Sequence, residues 1–131
     1  MRRFEAEIEA MEAYLGTGPA IDLSHLSAIC GTSDRGVLDQ LLADYLAATS
    51  ESMTELRQAA NEGDMREIAR ACHGSCGEAR SAGASILAER LATLENQMKA
   101  GEMDGLEAML AGIEAEMERV RSYVEARTEV P

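Results

Sequence analysis

Aromatic residues are scarce: the chain has no Trp, one Phe and three Tyr. Strands draw heavily on aromatic and β-branched side chains, so a sheet-built core is disfavoured and Leu, Ile, Met, Val and Ala must fill the interior. Proline is equally rare, with two residues, one of them the last. Helix interiors exclude proline, so its rarity permits long helices. Cysteine numbers three, an odd count that does not suggest a disulfide framework. Positive charge is the scarcer sign: 12 Lys and Arg stand against 24 Asp and Glu, a net charge of −12. Such a chain repels nucleic-acid phosphates and anionic lipid, so neither is an expected partner. No uninterrupted apolar run approaches the length of a membrane span. The start, Met1-Arg2-Arg3-Phe4-Glu5, turns acidic at once, unlike a signal peptide. A cytoplasmic protein is the expectation.

What is present is helical periodicity. At 131 residues and 46 % apolar, the chain has the length and the material for one real core. Phe4, Ile8, Met11 and Leu15 share one stripe, which predicts an amphipathic helix over 1–15. Gly16-Thr17-Gly18-Pro19 reads as a linker. The chain thus divides into an N-terminal helix with its linker, 1–19, and a bundle domain, 20–127. A short helix is expected over 23–29, with Ser33 a candidate N-cap for the next element. The longest helix should span 34–60, on a stripe of Leu38, Leu41, Leu42, Tyr45, Met53, Leu56 and Ala60 with Thr49 filling its gap. Asp64, with Glu67 three residues on, resembles a capping box for a helix over 65–82. Two further stripes follow: Leu87, Leu91, Leu94 and Met98, then Leu106, Leu110, Ile113, Met117, Val120 and Val124. Four substantial helices joined by short loops predict an all-α fold, an antiparallel up-and-down four-helix bundle with additional short N-terminal helices.

The helix over 65–82 is unusual. Ile68, Ala71, Cys72, Ser75, Ala79 and Ala82 form its inward face, and all but Ile68 are small. His73 points away from that face, and Arg66, Ala69, Arg70, Cys76, Gly77 and Arg80 surround it on the outer side. Gly74 and Gly77 each cost about 1 kcal/mol relative to Ala inside a helix. Gly77 lies one turn after His73 and Ala69 one turn before, so neither crowds the imidazole; something bulky is expected to reach that ring. Three of the 12 basic residues, Arg66, Arg70 and Arg80, share the face. Guanidinium groups suit phosphoryl oxygens because they are always charged and donate in a planar fork. Imidazole, with an ordinary pKa of about 6.5, keeps a nucleophilic neutral fraction at cellular pH. A metal site is the rival use of Cys72, His73 and Cys76. Structural zinc usually takes four ligands, and Cys30 and His25, on another segment, are the Cys and His left to complete the set. No metal is expected.

The segment Ala71-Cys72-His73-Gly74-Ser75-Cys76-Gly77-Glu78-Ala79-Arg80-Ser81-Ala82-Gly83-Ala84 resembles the motif of the histidine-containing phosphotransfer (HPt) family. In that family Gly follows the phosphorylated His at the fourth position and Gly-Ala at the tenth and eleventh; here these are Gly77, Gly83 and Ala84. The Gly63-Asp64 turn and the Leu94-Glu95 pair match the family's habit too. The family commonly has Leu and Lys at the second and third positions after the His, where this chain has Ser75 and Cys76. The resemblance implies that His73 carries a phosphoryl group, with Arg70, Cys76, Gly77 and Arg80 around it; by the wheel, Arg80, seven residues after His73 and about 20° away, is the candidate to supply the missing lysine's charge. Arg66, Ala69 and Gly74 would meet the partner. That partner would be a response-regulator receiver domain, including one carried by a hybrid histidine kinase. The receiver would bring Mg²⁺; the chain itself, a monomer, would need no cofactor and be no enzyme on its own. Two alternatives stay open: a degenerate module that binds a receiver without taking phosphate, and a structural or metal-binding bundle.

Overall fold

A computed structural model describes residues 18–129; residues 1–17, where the first amphipathic helix is expected, lie outside the described residues. Within them the chain forms α1 (Leu23–Cys30), α2 (Arg35–Glu62), α3 (Met65–Ser81), α4 (Ser85–Lys99) and α5 (Leu106–Glu129), with no strand. None of these helices is long and apolar enough to cross a membrane.

The starts of α1, α2 and α3 are set locally by carboxylates that accept otherwise unpaired backbone N–H groups, whereas α4 begins after Ala84 with no side-chain cap. Asp22 accepts from the N–H of His25 at 3.1 Å. Asp34, not Ser33, caps α2, accepting from the N–H of Val37 at 3.0 Å. An anion complements the positive end of a helix better than a neutral hydroxyl. Asp64 accepts from the N–H groups of Arg66 and Glu67 at 3.1 and 3.2 Å, as its position predicts. The reciprocal half of that box does not form: Glu67 binds Arg70 at 2.6 Å, and the N–H of Asp64 donates to the Ala59 carbonyl.

The helices α2 to α5 pack in a ring, each against the next, and α5 closes against α2. Short connections force neighbours to run antiparallel. The interior is aliphatic, with Leu42, Leu56, Ile68, Leu91, Leu94 and Ile113 fully buried. Thr49, the polar member of the α2 stripe, is fully buried as well, and its Oγ1 faces the Met117 sulfur at 4.0 Å. Leu41 departs from expectation: it is exposed. It lies at the edge of the stripe, where α1 and α3 leave a groove open.

The α3–α4 turn holds α1 over one end of the bundle. The N–H of Asp22 donates to the Gly83 carbonyl at 2.7 Å. Gly83 has φ +79, and a Cβ there would lie 2.8 Å from the Asp22 carbonyl oxygen. Only glycine meets both demands, the left-handed backbone and the close approach.

Candidate functional site

The site forms where α3 meets α4, the most extensively packed pair of helices. Small residues on α3 permit this: Cys72, Cys76 and Ala79 are buried, with Ile68 the one large buried side chain of the helix. His73 stands on the rim, its side chain 79 % exposed.

Glu95 of α4 approaches the ring. Its Oε2 lies 3.1 Å and its Oε1 3.3 Å from His73 Nδ1. Its side chain is only 10 % exposed, and its second partner is Lys99, whose Nζ lies 2.7 Å from Oε2. Burial by itself would push the Glu95 carboxyl up. The hydrogen bond and charge of Lys99, then those of His73, outweigh it and hold Glu95 below the ordinary carboxylate range. An ionised carboxylate only accepts, so the neutral imidazole must carry its proton on Nδ1. Its lone pair is then on Nε2, which has no hydrogen-bond partner among the described residues and belongs to an exposed ring. The pairing therefore selects one nucleophilic atom and aims it outward.

The other residues singled out from the sequence divide into two groups. Arg66, Arg70, Gly74, Gly77 and Arg80 lie exposed on the face of His73, and Ala69 is half-buried beside it. A Cβ at Gly77 would meet no atom within 4 Å, so packing does not require glycine there. Arg70 is engaged by Glu67 at 2.6 Å, and Arg80 sits 4.0 Å from Glu89. Cys76 belongs to the other group, and its placement is corrected. It is 3 % exposed, with its thiol donating to the Ala88 carbonyl at 3.3 Å. The packing of α4 covers the side of α3 that a helical wheel leaves outward. Cys72 is buried too, and burial first, then the charge of Glu95, pushes its thiol up to about 12. Cys72 and Cys76 point into the core while His73 faces solvent, so the three do not converge. No group of three or more His, Cys, Asp or Glu among the described residues is arranged to hold a metal ion.

Two features escaped the sequence reading. One is the contact of Glu95, noted there only within the Leu94-Glu95 pair, with the His73 ring, and with it the role of Lys99; a signal existed for the former, since Glu95 falls four residues after Leu91 and three before Met98, a charge inside an apolar stripe. The second is an apolar surface beside the site. Val37 and Leu41, one turn apart on α2, are exposed, as is Ile29 on α1. Leu41 lines a groove that runs past Leu26 and Tyr45 to Gly77.

A family model for the Hpt domain matches residues 40–123. The crystal structure of histidine-containing phosphotransfer protein B from Pseudomonas aeruginosa PAO1 has the same fold. The TM-score is 0.76 at 22 % sequence identity, and the match covers 88 % of this chain and 100 % of that one. No curated protein matches the chain.

Proposed function

The chain belongs to the Hpt domain family, and from that premise we propose that it is a phosphocarrier, exchanging a phosphoryl group between His73 and the aspartate of a receiver domain. The observation that carries this reading is the exposed imidazole whose Nδ1 is held by Glu95. In the accepting direction, Nε2 attacks the phosphorus of the receiver's aspartyl phosphate in line. The Nε2–P bond forms as the P–O bond to the aspartate breaks, and the aspartate leaves as carboxylate. The ring keeps its proton on Nδ1 and gains positive charge, which the Glu95 carboxylate opposes. The reverse step returns the phosphoryl group by the same geometry. Mg²⁺ and the acidic pocket belong to the receiver in this scheme, so the chain positions a nucleophile and is no enzyme by itself.

The partner's approach is supported by the exposed apolar residues. A receiver covering Val37 and Leu41 and entering the groove at Gly77 would place its aspartate over His73. Arg66 and Ala69 on one side and Arg80 on the other flank that approach.

Radiolabel transfer from a phosphorylated receiver tests the reading. The wild-type chain is expected to take acid-labile, base-stable label, and His73→Gln to take none while keeping its helicity. Label that survives His73→Gln and disappears in His25→Gln would reassign the site. Binding to the receiver with no label on the wild-type chain would mark a degenerate docking module.

A further inference from the structure

The chemistry at His73 uses neither α1 nor the turn that holds it. At that turn the Gly83 carbonyl accepts the N–H of Asp22 at 2.7 Å. A Cβ on Gly83 would lie 2.8 Å from the Asp22 carbonyl oxygen and 3.3 Å from Leu26 Cβ. Both neighbours belong to α1 or to its N-cap. α1 packs extensively against no other helix, whereas α3 and α4, on either side of Gly83, form the most extensive pair. A side chain at position 83 would therefore displace α1 and leave the α3–α4 pair in place.

α1 is also a wall of the groove beside the site. Leu26 and Cys30 line one side of it, Leu41 and Tyr45 of α2 another, and Gly77 and Ser81 of α3 the third. Ile29, next to Cys30, is 52 % exposed.

We propose that Gly83 is a positioning residue for receiver docking: it seats α1 so that Ile29 and Cys30 stand beside Val37 and Leu41 on the surface that the receiver covers. The proposal rests on the phosphocarrier reading and adds how the docking surface is assembled. The groove reaches Gly77, one turn from His73, so a domain presenting an aspartate to Nε2 lies over it. The matching face of that domain is apolar, because Ile29, Val37 and Leu41 are exposed and gain from being covered. His73 and Glu95 lie ten residues before and twelve after Gly83, each about 15 Å or more along its helix. Losing the glycine should therefore weaken docking and leave the chemical step alone.

Amide NMR of the free chain tests the seat without a receiver. Gly83→Ala should displace the signals of Ile29 and Cys30, at the far end of α1, and leave those of His73 and Glu95 in place. Gly83→Asn should do the same, because Asn tolerates the left-handed backbone yet carries the same Cβ. Unmoved signals at Ile29 and Cys30, equal displacement at His73 and Glu95, or a wild-type spectrum in Gly83→Asn overturns the proposal. A second arm measures transfer from a phosphorylated receiver. Both Gly83 variants should raise KM about fivefold with kcat within twofold of wild type, the mark of lost docking. Ile29→Ser should raise KM about threefold, and the double variant Gly83→Ala/Ile29→Ser no further than the larger single change, because a displaced α1 no longer presents Ile29. A fall in kcat at constant KM, or increases that multiply in the double variant, overturns it. An unchanged KM in Ile29→Ser overturns it whether or not the Gly83 variants fold. A wild-type chain that takes phosphate from no receiver refutes the phosphocarrier reading and, with it, the receiver as occupant. Intact transfer with KM unchanged in every variant refutes the role of Gly83 alone.

Discussion

Replacing Glu95 should separate the orientation of His73 from its mere presence. Glu95→Ala removes the acceptor 3.1 Å from Nδ1 and releases Lys99 into solvent. A hydrogen bond to a charged group contributes about 1.5–3 kcal/mol when protected from water. Here one partner is protected and the other is not: the His73 side chain is 79 % exposed and that of Glu95 10 %. Water competes for the ring, so a value at or just below the lower end applies, about 1–1.5 kcal/mol, or roughly tenfold in the rate of Nε2 attack. Glu95→Gln should lose less, about threefold, because an amide oxygen can still accept from Nδ1 while the charge opposing the phosphorylated ring is gone. Rapid-quench measurement of label transfer from a receiver in excess, at pH 7.5 to keep the phosphohistidine intact, gives the rates; circular dichroism checks the fold. Transfer by Glu95→Ala within twofold of wild type would refute the argument that the carboxylate directs the ring. Acid behaviour supplies an independent check. Glu95 is held below its ordinary value of 4.5, so its ionisation stabilises the fold above that value and the contribution is lost as pH falls through the lowered one. The stability difference between wild type and Glu95→Gln, read from urea melts, should therefore shrink between pH 7 and pH 3.

Other perturbations have equally definite outcomes. Tyr45, whose pKa burial raises from 10.0 to about 12, should ionise only well above pH 10 in an absorbance titration. Because the unfolded chain loses that proton first, stability should fall as pH rises from 10 to 12; a flat profile there would contradict the burial. Gly77→Leu should leave the melting temperature unchanged or raised, since a Cβ there meets nothing within 4 Å and Leu is the better helix former by under about 1 kcal/mol. It should nevertheless cut transfer at least tenfold, and wild-type transfer rates would remove the steric argument. Leu41→Ser, at an exposed position, should cost under about 0.5 kcal/mol of stability yet raise the KM for a receiver severalfold; an unchanged KM would place docking elsewhere. Lys99→Ala should slow transfer more than Arg80→Ala, because Lys99 contacts the carboxylate on the ring while Arg80 sits 4.0 Å from Glu89. The opposite ranking would return the phosphoryl-side charge to Arg80.

The sequence by itself determined the helices, where they stop, and which face of α3 is special. These are local matters. Apolar spacing near 3.6 residues, a carboxylate just before a helix and a glycine just after one act within a turn or two of chain. His73 was legible for the same reason: it stands opposite a face of small residues on its own helix, and Gly77 shares its side without a packing need. Tertiary structure alone decided what surrounds it. A wheel places Cys76 by its angle about the axis of α3 but does not say where α4 will lie, and α4 covers it. The stripe of α2 places Leu41 toward a core whose edge α1 and α3 leave open. Glu95 reaches the imidazole from the next helix, 22 residues on in the chain, and Lys99 in turn holds Glu95. The charge of Glu95 within an apolar stripe marks an anomaly without naming its partner. Local rules act through the backbone and so can be read from order along the chain. The tautomer of His73 and the burial of Cys76 depend on which helix packs where. That arrangement is set by how all the side chains of the bundle fill one interior together.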